Sequence, residues 1–563
     1  MANFPDSPAA QPGLKRALGL SALIFYGIVL IQPTAPMPLF GAAAVAGKGH
    51  VVTAILIGMV AMLFTAISYG RMANAYPSAG SAYAYVSREI HPALGYFVGW
   101  SIIFDYVMNP IVCVIWIAAA ANNFIPEISP YVYIILFAGL FTGMNLRGIE
   151  ASARTNAIIA TGLGVVIVLF LGAAVRYLFL NPPESPADWT RPFYDPQTFS
   201  LFHKDSLGHS VSSGAALAVL TYIGFDGIST LSEEARNPRR NILLATVLVC
   251  VITGVLASVQ VYAAQLIWPE TYFPNQDTAI SYVAGKAGTG ENFQNIEGGK
   301  IKVLIEEHNK IEGTVQTAQD KFDADKAEKV TDPAAAQSHQ QKIEEDKKTL
   351  EELKGQGEKI DLAYKNAVDS TITARGGMWL FLTVNFALLV ATIGSGAGAH
   401  LGAGRLLYSM GRDNAIPRKF FGAVNPRTRI PSNNIILVGV VTLVVALTLK
   451  TIQERTQVDA YGFGCLLLNF GALFAFMGVN VSAFLHYAVR GGNKSIWNLI
   501  GSIVSPLIGF AVCAYLWGSL GKWAIIAGFA WLATGILYGA YRTSFFRNPI
   551  QFASVDNDES ARK

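Results

Sequence analysis

The sequence predicts an all-α integral membrane protein with twelve transmembrane helices, and three observations carry that expectation. Hydrophobic residues make up 52% of the 563-residue chain and charged residues only 14%, where a soluble domain carries about a quarter. Apolar runs near the ~20 residues that a spanning helix needs recur along the chain. They lie near 18–40, 50–74, 93–121, 130–147, 156–180, 209–231, 241–267, 376–408, 433–450, 461–489, 497–518 and 522–541. The first and sixth of these twelve spans are interrupted in mid-run by helix-breaking residues. In a bilayer such backbone survives only where it lines a cavity or is buried in protein.

Span 1 breaks at LIQPTAPMPLFG, residues 30–41, where Pro33, Pro36 and Pro38 follow within six residues. Each proline removes an N–H and clashes with the turn before it. Carbonyls near Val29, Gln32 and Thr34 are thereby released, so the break offers more acceptors than donors. Span 6 breaks at LTYIGFDGISTLSEEARNPRRN, from Leu220 to Asn241. There Gly224 and Gly227 flank Phe225 and Asp226, and glycine allows the chain to unwind. Two breaks five spans apart are corresponding positions in an inverted repeat, with a solute site between them at the midplane.

Lys and Arg in the short loops set the orientation. With the N-terminus inside, inner loops collect nineteen such residues and outer loops nine, leaving the long insertion aside. Both termini are therefore expected in the cytoplasm of a multi-pass plasma-membrane protein. Residues 288–372 hold 12 basic and 18 acidic residues; removing them from the totals of 42 and 38 leaves a clearly basic remainder. Cys113, Cys250, Cys465 and Cys513 lie in apolar runs with no metal or disulfide spacing. The first apolar run is expected to direct insertion, since no cleavage site follows it.

The chain is expected to divide into a membrane domain over 1–284, an insertion over 285–374, the remainder of the membrane domain over 375–543 and a cytoplasmic tail over 544–563. Within the insertion Leu304, Ile311 and Ala318 recur every seven residues, as do Ile343 and Leu350, with Asp332-Pro333 between the runs. That pattern reads as an antiparallel helical hairpin on the outer face. It is expected to be a tolerated, dispensable insertion, or else a lid or a docking surface for an unknown partner.

Enzyme readings have little to stand on. No phosphate-cradling GxxxxGK[ST] run occurs, no cofactor or metal set is spaced for binding, and nothing points to nucleic acid. The GSGAGAHLG run lies inside span 8, where close helix packing explains it.

Three stretches carry a family resemblance. AYPSAGSAYAYVSREIHPALGYFVGW (75–100), GFDGISTLSEEARNPRRN (224–241) and GRLLYSMGRDNAIP (404–417) resemble, in order and spacing, the amino acid–polyamine–organocation superfamily of permeases. Within it the chain is most similar to putrescine and amino-acid importers. The resemblance implies a five-plus-five inverted repeat with two extra C-terminal helices, in a secondary carrier that works by alternating access and binds its substrate at the two breaks. A small amine-bearing solute is the expected cargo, an amino acid first and a polyamine or simple amine next, with proton coupling. A channel and a transporter-like sensor are the readings from other classes. The three prolines depart from the glycine-rich first break of many amino-acid carriers, whose N–H groups hold a carboxylate.

The candidate substrate-binding residues are Gln32, Thr34, Ala35, Met37, Asp105, Tyr106, Tyr222, Gly224, Phe225, Asp226 and Gly227. Asp105 sits mid-span, where an ionisable group marks function by default, as either a substrate or proton site or an internal anchor. Phe225 resembles the family's aromatic gate, with plain packing as the alternative. Glu233 and Arg236 are expected to close an inner gate by ion pairing. His400 reads as a packing residue, and Asn469 either bonds another helix or faces the cavity.

Overall fold

The computed structural model describes residues 18–76, 81–147, 153–202, 204, 208–231, 235–293, 299–327, 333–412, 416–425, 430–456, 458–490 and 500–542. Among these the regular elements are helices. Ten are long and apolar enough to cross a membrane. Spans 1 and 4 complete the twelve. Span 1 is split into Leu20–Ile31 and Pro36–Ala46, and span 4, Pro130–Leu146, has 17 residues. Large apolar side chains such as Val168, Phe179 and Leu537 stand outward, each at least 70% exposed. A surface of that kind belongs against lipid. The chain is a multi-pass membrane protein.

Each of the first four spans packs against the span five later: 1 on 6, 2 on 7, 3 on 8 and 4 on 9. A two-fold axis between two five-helix repeats places each helix near that axis beside its own counterpart, so this pairing is the packing signature of the inverted repeat. Spans 1, 2, 6 and 7 form one group, and spans 3, 4, 8 and 9 a second. Span 10, Ala460–Phe484 with its continuation to Val489, packs on spans 2 and 3 and so touches both groups, while spans 11 and 12 lie against it. Small residues set the close approaches. A Cβ on Gly471 of span 10 would stand 2.6 Å from the Ser101 carbonyl oxygen of span 3.

The insertion differs from its expected outline. Helix Ala279–Thr289 is buried almost throughout, so the core does not end at 284. Two helices follow, Lys300–Ala327 and Pro333–Ala374, packed as a hairpin. The base of the second belongs to the core. Tyr364, Val368 and Ile372 are at most 1% exposed, and a Cβ on Gly285 would meet Ile372 at 2.9 Å. Tyr272, on the loop after span 7, stacks on His308 and Tyr364 and donates to Asp361 at 2.6 Å. Heptad spacing shows where two helices face each other, but it is silent on what their base is set into.

These contacts divide the hairpin into a buried base and a charged tip, where Lys321–Asp346 and Lys342–Asp325 pair across the helices. Replacing 316–352 by a short linker should leave the melting temperature of the purified protein within a few degrees of the parent. Removing 286–375 should abolish folding, because each lost core side chain of this size is worth roughly 2–5 kcal/mol. A well-folded product of the larger deletion would contradict this division.

Candidate functional site

The break in span 1 is set by its prolines. Proline bars its predecessor from the helix, and the chain leaves the helix at Gln32 with φ 66° and ψ 120°. A side-chain-bearing residue rarely adopts that region, and such backbone is held only where its surroundings over-determine it. Tight turns then consume most of the polar groups. Gln32 donates to the Ile28 carbonyl at 3.1 Å, Ala35 to Gln32 at 3.0 Å and Met37 to Thr34 at 2.9 Å. Gln260 of span 7 donates its side-chain amide to the Pro33 carbonyl at 3.0 Å. The expected surplus of acceptors is thus partly spent within the turn. The shortage of donors is stricter: of the N–H groups in residues 32–38, only that of Thr34 stands outside these bonds.

Span 6 unwinds in stages. Helix Val211–Ala218 tightens into 3₁₀ turns at Val219–Tyr222, bends at Gly224, and continues as 3₁₀ from Phe225 to Leu231. Gly224 has φ 122°, open only to glycine in practice. Asn469 of span 10 donates to the carbonyls of Ala216 and Leu217, at 2.7 and 3.3 Å, where the α-helix gives out. That decides its role as a bond between helices. At the bend, the backbone N–H groups of Gly224, Asp226 and Gly227 face the Asp226 carboxylate.

Asp105 of span 3 lies within electrostatic range of Asp226, and Tyr69 and Tyr106 are in range of both. Among the described residues no Lys or Arg pairs with either carboxylate. Tyr106 is 36% exposed, has Tyr26 of span 1 in electrostatic range and packs its ring on Gly402 of span 8. Space for a Cβ is open at Gly398 on the same span. Pro110, inside span 3, frees the Tyr106 carbonyl one turn back, an acceptor that sequence reading passed over.

The other candidates fall into place around this group. Thr34 and Met37 are buried in the turn and Ala35 is half-buried. Tyr222 leaves the group: its ring packs on Gly58 of span 2, near Gly254 of span 7, and its hydroxyl donates to the Ile55 carbonyl at 2.9 Å. Phe225 is fully buried against Tyr69 and Phe476, with ring centroids 5.4 and 5.3 Å away, and so packs span 6 on spans 2 and 10. Glu233 lies outside the described residues. Arg236 is exposed, and its N–H donates to the Leu18 carbonyl at 2.7 Å, tying the foot of span 6 to that of span 1. His400 bonds the Ile435 carbonyl at 2.9 Å, as a packing residue does.

A stronger ionic cluster on that face went unread in the sequence. Glu89, whose side chain is wholly buried, accepts from His486 and Arg490 at 2.6 Å each and from the Tyr76 hydroxyl. Its signal was the SRE of the 75–100 stretch, whose basic partners lie some four hundred residues away.

Paired broken helices around a polar midplane centre define a permease-type carrier. The family comparison is specific: models described as amino acid permease match residues 34–299 and 366–540. The chain belongs to the amino acid permease family of the amino acid–polyamine–organocation superfamily, and it is a transporter, not an enzyme. It is 28% identical over 543 residues to the low-affinity putrescine importer PlaP of Escherichia coli K12, covering 95% of this chain and 96% of that one. It is 27% identical over 303 residues to the branched-chain amino acid permease BcaP of Bacillus subtilis, covering 50% and 61%. A manganese transporter of Eremococcus coleocola superposes with a TM-score of 0.48 at 12% identity, over 94% of this chain and 96% of that one.

Asn469 provides the test of the span 6 geometry. Asn469→Ala strips the donor from two buried carbonyls, which should destabilise the protein by about 1–3 kcal/mol. Thermal unfolding of the purified variant measures this, and an unchanged midpoint would contradict the assignment.

Proposed function

We propose that the chain moves a small amine across the plasma membrane as a proton-coupled importer, by alternating access, with both termini in the cytoplasm. The carrying observation is the pair Asp105 and Asp226, set among phenols at the bend of span 6. An ammonium group answers that chemistry, since a desolvated carboxylate is stabilised by a cation and by little else here.

The site favours a diamine or simple amine over the amino acid expected first. A substrate carboxylate needs several N–H donors. In span 1 the prolines remove three of them and the turn uses most of the rest. In span 6 the exposed N–H groups already face the protein's own Asp226. Likeness to a putrescine importer over nearly the whole chain supports the same reading. Proton coupling follows from balance of charge: when the amine leaves, the paired carboxylates are left without a cation in the membrane, and a proton is the replacement.

Asp105→Asn keeps the side chain's shape and removes its charge. A charge-assisted hydrogen bond is worth roughly 1.5–3 kcal/mol, so amine binding should weaken on the order of 10- to 150-fold while the protein still folds. Titration of the purified variant, with uptake in liposomes driven by a proton gradient and no sodium, checks both claims. Normal affinity in the variant would assign Asp105 to helix packing.

A further inference from the structure

A second carboxyl pair lies far from the centre, on the face that carries the hairpin. Asp277 stands in the loop between span 7 and the buried helix Ala279–Thr289, and Asp459 immediately precedes span 10. The loop is wedged between three spans. A Cβ on Gly41 of span 1 would collide with the Gln276 carbonyl oxygen, and Trp116 of span 3 donates its indole N–H to the Asp277 carbonyl at 2.6 Å. Gln276 donates to Asp459 at 3.0 Å, and Asn123 to Thr278 at 3.0 Å. The wedge thus packs on the second half of span 1, on span 3 and on the start of span 10.

The two carboxyl groups face each other. Asp459 accepts from the Gln276 side-chain amide, and the N–H groups of Tyr461 and Gly462 lie toward it. Asp277 is 8% exposed, and its Oδ1 has no hydrogen-bond partner; Oδ1 of Asp459 has none either. Both border a polar cavity of about 280 Å³ shared with Asn122, Asn275, Lys450 and Gln453. A buried carboxyl and a half-buried one, each with an unpartnered oxygen beside a cavity wide enough for water, have the arrangement that a single bridging proton completes.

We propose that Asp277 and Asp459 form a proton-binding site that latches this wedge onto spans 1, 3 and 10 while one proton is shared between them. When the wedge lifts, both groups enter water, the proton leaves to the solution on that face, and two carboxylates remain. Closing takes one proton up again. This deepens the proton coupling proposed above, yet the latch can be tested with no substrate present, so the two readings fail separately.

The charged and titratable surroundings support the sign. Lys450 of span 9 is the cation in range of the pair and opposes protonation of Asp277; its ammonium is shared with Gln453 and Glu454. Tyr461 and Cys465 of span 10 and Cys113 of span 3 complete the set. Burial pushes both carboxyls up, that of Asp277 further still because of Asp459. A carboxyl raised in the closed state and ordinary in the open state binds more protons when closed. Closure is then favoured at low pH and is lost progressively as the pH climbs from the ordinary carboxylate range through the raised value. One differential proton changes the closed-to-open ratio by up to about tenfold per pH unit.

Ser281 reports on the wedge. It is fully buried on the helix that follows and its hydroxyl donates to Asn385, so Ser281→Cys hides a thiol that is released when the wedge lifts. Labelling of the purified full-length variant with a maleimide, normalised to the denatured chain at each pH, should accelerate several-fold per unit between about pH 5 and pH 8. The same protein without Ser281→Cys gives the background from the four buried native thiols. Asp277→Asn leaves an amide that donates to Asp459 at every pH, so labelling should become slow and flat. Asp459→Asn leaves one carboxyl and one amide and should flatten the profile too. A flat profile in the parent, or the parental slope surviving in both variants, overturns the proposal.

Discussion

The structure depends on one constraint: backbone broken in the middle of a membrane must find partners for its polar groups without water. The prolines of span 1 meet it by removal, since a missing N–H needs no acceptor, and by a turn that bonds within itself. What the turn leaves over is met from span 7, by Gln260 on the Pro33 carbonyl. Span 6 keeps its N–H groups and meets the constraint from span 10, by Asn469, and from its own Asp226. The same two-fold arrangement that places the breaks side by side also supplies the helices that repair them.

From this comes the chemistry of the centre. A site whose N–H groups are removed, bonded or already opposite a carboxylate has little to offer an anion. Its remaining features are two carboxylates, phenols from spans 2 and 3, and the carbonyl freed by Pro110. Such a surface suits positive charge, and in the proposed proton coupling a proton replaces that charge when the solute leaves. The latch proposed for Asp277 and Asp459 would answer the same need on the hairpin face, where lifting the wedge exposes carboxyls that share a proton when it is seated.

Much of the fold was legible because lipid imposes simple rules. Span lengths, the proline cluster and Gly224–Gly227 each have a local cause, and they gave the twelve helices and both breaks. The failures share a different cause. Tyr222 sits next to the bend and yet packs between spans 2 and 7, because the 3₁₀ segment rotates it away, and a sequence does not show that rotation. The hairpin was outlined by its heptads, but Tyr364, Val368 and Ile372 read as a continuing amphipathic stripe although they enter the core. Glu89 with Arg490, Asp277 with Asp459, and Asn469 with the end of the first half of span 6 are contacts across hundreds of residues. A single sequence carries no record of such pairings.

The most direct test of the central claim is calorimetric binding of a matched pair to the purified protein: 1,4-diaminobutane and ornithine, which is the same diamine bearing a carboxylate. A centre built for positive charge alone should bind the diamine at least as tightly, because the added carboxylate meets no free donors and faces Asp105 and Asp226. Binding of ornithine tenfold or more tighter than the diamine, about 1.4 kcal/mol, would mean that the broken helices still hold a carboxylate, and would contradict the account.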